Sequence, residues 1–263
     1  YNGFRAIGLT LKTFQLPKAE ALKGQEELIE QLNEIQLPNI KILLTGNGKV
    51  ARGAQEMLDA MQIKKVSVAA YLSKTFDEPV YCMIDVLEYN QRIDGQVINS
   101  IDFFEHPELY KSNFMRFAKV TDYFIAGHFF GDGSPYLFTR EDARSPDFNI
   151  RFVADISCDI DGPVASTIRA STIADPMYGY DPDTEKEVDF QAENAIVVMA
   201  VDNLPCELPK DASEGFGELF LKYFIPAFFN NDKEGVLQRA KMTENGKLTP
   251  RFSYLQAYVE GKE

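Results

Sequence analysis

The stretch that most constrains the chain is residues 40–54. It opens with an apolar run of strand length, and Gly46, Gly48 and Ala51 then spell G-x-G-x-x-A. Val50, Ala54, Met57, Leu58 and Met61 follow at helical spacing, so one face of the next element can lie on a sheet. Strand, glycine turn and helix in this order are the setting that a dinucleotide-binding turn requires. Gly46 permits the tight turn, Gly48 lets backbone approach a pyrophosphate, and Ala51 keeps helix and strand close. The N–H groups of the helix N-terminus are offered to the phosphates. A plain strand-to-helix turn with structural glycines is the competing reading.

The rest of the chain extends this unit. Residues 4–9 form a short apolar start, and 15–36 read as a helix with Leu22, Leu28, Leu32 and Ile35 on one side, closed by Pro38. Residues 65–72 read as the second strand, with Leu72 at its cofactor-facing end. That end would carry an acid for the adenosine ribose hydroxyls, and 69–74 contain none. Lys74 either faces a 2′-phosphate or is merely solvated, so the cofactor is NAD or NADP. Residues 77–104 read as an irregular excursion with one short strand over 80–84. A helix is predicted over 106–118 and a strand over 122–129, its glycine-rich tail running from Ala126 to Gly133. Residues 151–157 and 196–201 read as buried strands. A helix from Asp211 to about Phe229 starts with Asp211 and Glu214 in capping-box spacing and is interrupted at Pro226. Asn245-Gly246 marks a turn, and 250–259 a last short helix. The alternation predicts an α/β fold: a doubly wound, mostly parallel sheet between two helical layers, with C-terminal helices. Residues 1–36 are expected to connect into a dinucleotide-binding domain at 37–205, with 206–263 packing back.

Composition excludes several classes. A net charge of −13 over 263 residues argues against nucleic acid or an anionic membrane surface as partner. It leaves room for a dinucleotide held by backbone amides, for a small-molecule substrate, and for a homo-oligomer. Three isolated cysteines give neither a zinc motif nor a disulfide framework, so a reducing cytoplasm is the simplest expectation. No metal site is expected.

Two places concentrate chemistry. His128 is one of two histidines, lies among glycines just past a strand, and is either a titratable group meeting the ligand or a structural ring. Asp155, Asp159 and Asp161 crowd the end of an apolar strand, where each buried charge needs a partner or a task. Asp159 is the candidate for proton handling; loop capping is the alternative.

Several segments in order resemble a known family. They are Gly46-Asn47-Gly48-Lys49-Val50 with Gly53-Ala54, the run from Lys74 to Tyr81, Val153 to Ile160, Thr172 to Pro176, Val201 to Pro205, and Leu208 to Ser213. Together they are similar to the cofactor-binding half of lysine-forming saccharopine dehydrogenase and of lysine–ketoglutarate reductase. A more distant similarity is to alanine dehydrogenase and nicotinamide nucleotide transhydrogenase. The resemblance implies a Rossmann-like oxidoreductase that transfers hydride reversibly at an amino-acid C–N bond. By position, Gly46, Asn47, Gly48, Lys49 and Val50 would hold the pyrophosphate. Ala126, Gly127 and His128 would run along the nicotinamide, Asp159 would stand near the reacting centre, and Asn203 and Leu204 would line the nicotinamide pocket. In the family a substrate domain with acid/base residues precedes the matched region. The chain from Tyr1 is therefore expected to bind dinucleotide and to lack turnover by itself.

Overall fold

The computed structural model describes residues 1–96, 99–131 and 133–262; Asp132 of the glycine-rich tail lies outside them. The chain forms two compact units, Tyr1–Leu208 and Pro209–Glu263. The first contains an eight-stranded sheet. Its strands are β1 (Lys41–Thr45), β2 (Lys64–Lys65), β3 (Val80–Ile84), β4 (Tyr123–Ala126), β5 (Phe152–Asp155), β6 (Tyr178–Asp181), β7 (Lys186–Val188) and β8 (Ile196–Met199). Their spatial order is β2-β3-β1-β4-β5-β8-β6-β7. All pairs are parallel except β8–β6 and β6–β7.

Strand alternation sends side chains to two separate cores. Leu43, Phe124, Val153 and Val198 join one cluster, and Ile42, Leu44, Ile125, Ala154 and Val197 the other. The second cluster is completed by α1 (Asn2–Leu11), α2 (Gln25–Asn33) and α3 (Lys49–Ala60), through Ile7, Leu32, Ala51 and Leu58. The first is completed by α4 (Val68–Ser73), α5 (Val86–Tyr89) and α6 (Ser100–Glu105), through Tyr71, Tyr89 and Phe103, and by Phe114, Phe117 and Phe138. The mostly parallel sheet is thus covered on both faces, the Rossmann-like α/β arrangement read from the alternation.

Local readings differ in several places. The expected strand over 65–72 stops at Lys65, because the Ser67 hydroxyl accepts the Ala70 N–H and caps α4. Leu72 therefore sits on a helix against the core, not at a strand end. The expected helix over 106–118 is a 3₁₀ turn, a strand Tyr110–Ser112 paired with Asn90–Arg92, and a short helix Met115–Ala118. Residues 15–36 hold α2 only, after a 3₁₀ turn at Ala19–Ala21, with Gly24 as the N-cap of α2. The 4–9 run lies within α1. The β6–β7 hairpin at the sheet edge had no sequence expectation.

In the second unit, helix Pro209–Leu219 passes into a π turn at Phe220–Phe224 and then helix Ile225–Phe229. Pro226 has no N–H to continue the ladder, which accounts for the break in α-helical bonding just before it. Asn245 and Gly246 both take positive φ and close the hairpin Thr243–Glu244 with Lys247–Leu248. Among the described residues no helix is long and apolar enough to cross a membrane.

Candidate active site

The register of the sheet places four strand ends in one row. Thr45 lies opposite Ile84 on one side and Ala126 on the other, and Ala126 lies opposite Asp155. The next residue along each strand is Asp85, Gly46, Gly127 and Ile156. Strand order reverses between β1 and β4, so this edge carries the crevice in which doubly wound sheets hold ligands.

A cavity of about 390 Å³ occupies that crevice. Gly46, Asn47, Gly48, Lys49 and Val50 form one wall, Gly127, His128 and Phe129 the second, and Asp85, Tyr89 and Phe104 the third. Each glycine has its own reason. Gly46 takes φ +96°, and a Cβ there would stand 2.6 Å from the Gly127 carbonyl oxygen. A Cβ at Gly127 would lie 3.1 Å from both the Ala51 Cα and the Thr45 oxygen, so the fully buried Ala51 and Gly127 let α3 approach β4. Gly48 differs: a Cβ there would meet nothing within 4 Å, because it faces the cavity. It is the N-cap of α3, and no side chain caps that helix. The first N–H groups of α3 are left to an incoming acceptor. The Arg52 Nε donates to the Asn47 carbonyl at 3.1 Å and holds the turn. Val50, read from its spacing as a core contact, is 51% exposed and borders the cavity instead.

His128 is buried and lines the same space. Its Nδ1 shares a hydrogen bond of 2.8 Å with the Thr45 hydroxyl, and its Nε2 has no partner among the described residues. The ring tilts against Tyr89 with centroids 5.9 Å apart. Burial pushes its pKa down to about 4, so the imidazole is neutral at physiological pH.

Asp85 follows β3 directly. It caps α5 by accepting the Leu87 N–H at 3.0 Å, while the Glu88 carboxylate accepts the Asp85 N–H at 2.9 Å. Sequence reading passed over Asp85, Tyr89 and Phe104 because 77–104 looked irregular. The signal was present: an apolar run over 80–84 followed by Asp and, three residues on, Glu is a capping box after a strand.

The remaining expected residues divide. Ala126 ends β4 fully buried beneath the cavity. Asp159 follows β5, and Asn203 and Leu204 follow β8 on the same edge of the sheet, but none of the three lines the cavity. Asn203 is exposed and Leu204 packs on the second core cluster. Leu72 lies away from the cavity. Burial, then the charge of Asp155, raises the pKa of Asp159, while Ser157 opposes the rise. Among the described residues no group of three or more His, Cys, Asp or Glu is placed to hold a metal ion.

No family model matches the chain. It is similar to alpha-aminoadipic semialdehyde synthase, mitochondrial, of Mus musculus, 28% identical over 255 residues that cover 85% of this chain and 27% of the relative. The alpha-aminoadipic semialdehyde synthase of Arabidopsis thaliana is 24% identical over 264 residues, 90% of this chain and 24% of the relative. The chain thus spans about a quarter of the length of these relatives. Their similarity along most of the chain supports the resemblance drawn from the motifs.

Proposed function

We propose that this chain is the NAD(P)-binding part of an oxidoreductase resembling lysine-forming saccharopine dehydrogenase, acting by reversible hydride transfer at an amino-acid C–N bond. The observation that carries the reading is the crevice at the reversal of strand order, where Gly48 leaves open space before an uncapped helix N-terminus. That space suits a pyrophosphate, whose charge the α3 N–H groups and dipole favour. The bound cofactor would supply the hydride acceptor or donor, its nicotinamide ring.

The chain's own groups then take separate tasks. The backbone of Gly46 to Val50 holds the phosphates, and Gly127 and the neutral His128 form the wall beside them. Asp85 occupies the place after the strand next to β1 where an acid accepts hydrogen bonds from ribose hydroxyls. A 2′-phosphate there would meet a carboxylate, so the preference is for NAD over NADP. Asp159 handles the proton, and Asn203 and Leu204 border the nicotinamide end. The names of the similar proteins, alpha-aminoadipic semialdehyde synthases, agree with an amino-acid substrate of this kind.

The test is a titration of the chain with NADH and with NADPH. The chain contains no Trp, so NADH emission is read without indole background. Saturable binding of NADH, about tenfold tighter than NADPH, is expected. Failure of both to bind would overturn the reading. Incubation with NAD and saccharopine, lysine or alanine is expected to give no reduced cofactor from this chain by itself. An ordinary rate would instead place the acid/base groups within it.

A further inference from the structure

Asp155 ends β5 with no exposed surface. Its Oδ1 accepts from the Ser157 hydroxyl at 2.6 Å and from the Cys158 N–H at 3.1 Å. Its Oδ2 accepts from the Thr167 hydroxyl at 2.7 Å. These donors are two hydroxyls and an amide of the segment that leaves β5. Ser157 and Cys158 open that segment and Thr167 closes it, so a single carboxylate holds it from both ends.

The inside of the segment is equally determined. The Thr167 carbonyl accepts the Asp161 N–H at 3.0 Å, and the Asp159 carbonyl accepts the Gly162 N–H at 3.0 Å. A Cβ on Gly162 would stand 2.8 Å from both the Cβ and the carbonyl oxygen of Asp159, so glycine is needed for the turn to close on it. Cys158 and Asp161 take φ +53° and +52°, a conformation that non-glycine residues keep only when their surroundings enforce it. The Cys158 thiol donates to the Ala200 carbonyl at 3.1 Å, which ties the segment to the end of β8 as well.

We propose that Asp155 is a positioning residue for Asp159: its buried carboxylate fixes the 156–167 segment so that Asp159 stands at the sheet edge as a carboxyl that gives and takes a proton. The proposal rests on the reading above, in which Asp159 handles the proton of the redox step. Ser157 connects the two acids. A hydroxyl has one proton and two lone pairs, and the Ser157 proton is committed to Asp155 at 2.6 Å. Ser157 also acts on Asp159, lowering its pKa against the rise that burial and Asp155 cause. The groups acting on Asp159 are its burial, Asp155 and Ser157, and from the end of β8 Asp202 acts on the adjoining Cys158. Like charges close together favour a proton on one of them.

The experiment is a carbon-detected NMR titration of the aspartate carboxyls in the 263-residue chain and in Asp155→Asn. In the unaltered chain the Asp159 midpoint is expected above the ordinary aspartate range. In Asp155→Asn it is expected to fall, with shifted amide signals over 156–167. Thr167→Val removes one donor and is expected to lower the midpoint and disturb the same amides, while Thr167→Ser keeps the hydroxyl and restores both. That pair carries the test if Asp155→Asn does not fold. An Asp159 midpoint that is identical in the parent chain, Asp155→Asn and Thr167→Val overturns the proposal. The NADH titration is read separately: its failure counts against the proposed function, and the Asp159 midpoints still decide whether Asp155 controls that carboxyl.

Discussion

The turn after β1 and the segment after β5 leave one edge of one sheet, two strands apart, and they are made of opposite materials. The turn is stripped of side chains: Gly46 and Gly127 touch backbone to backbone, and Gly48 faces open space. The segment after β5 is crowded with polar groups, of which two side-chain hydroxyls and one backbone N–H converge on Asp155. The first region leaves open space before a helix N-terminus that no side chain caps. The second supplies charge of its own and stabilises it with hydroxyls. In the proposed function, binding and proton chemistry would fall to separate stretches of the edge, each damaged by a different kind of substitution.

The largest expected effect strikes the turn at its closure. Gly46→Ala combines left-handed strain with overpacking against Gly127, costing about 4 kcal/mol; chemical denaturation would show it, and a loss near that of a surface mutation would remove the close-packing argument. Next is the pH response of His128. The folded protein keeps the ring neutral, its pKa lowered from 6.5 to about 4 by burial. The unfolded chain protonates near the higher value. Stability from this group is therefore complete above 6.5 and drains away as pH falls towards 4, by roughly 3 kcal/mol in all. Melting curves of the parent and His128→Asn should converge across that window, and parallel curves would contradict the assignment of a buried neutral ring.

Gly48→Val separates binding from folding within the turn. Dinucleotide affinity should drop at least about 100-fold, or 2.7 kcal/mol, while folding loses about 1 kcal/mol for a poorer N-cap. Calorimetry measures both, and equal affinity in the two proteins would show that the open space is not where phosphates lie. The smallest change is at Asp85. Asp85→Asn should weaken NADH about tenfold and narrow the gap to NADPH; an unaltered ratio of the two affinities would leave Asp85 as a helix cap only.

The difference between the two regions also explains what could be read in advance. The turn is a local object: strand, glycines and helix are contiguous, so β1, the glycine turn and α3 were legible in residues 40–61. The polar segment was visible as a cluster of acids, but the pairing of Asp155 with Thr167 depends on a loop returning to its start, which no periodicity reports. Asp85 was missed for a third reason. The short strand at 80–84 was recognised, yet its place beside β1 is a long-range choice, made because Ser67 turns 68–73 into a helix. An acid at the end of the strand beside β1 was therefore sought in 69–74 and not at Asp85. The β6–β7 hairpin escaped because Tyr178–Asp181 and Lys186–Val188 are each too short to show a period.

The mutual contact of Gly46 and Gly127 has a bearing on how the protein reaches its native state. The two residues are far apart in sequence, and the wall that Gly127 and His128 contribute exists only after β4 has docked beside β1. A chain that has formed β1 and α3 alone offers the phosphates a helix end without its opposite wall. Dinucleotide bound there as proposed should therefore leave the folding rate nearly unchanged and slow unfolding, because its site requires both docked strands.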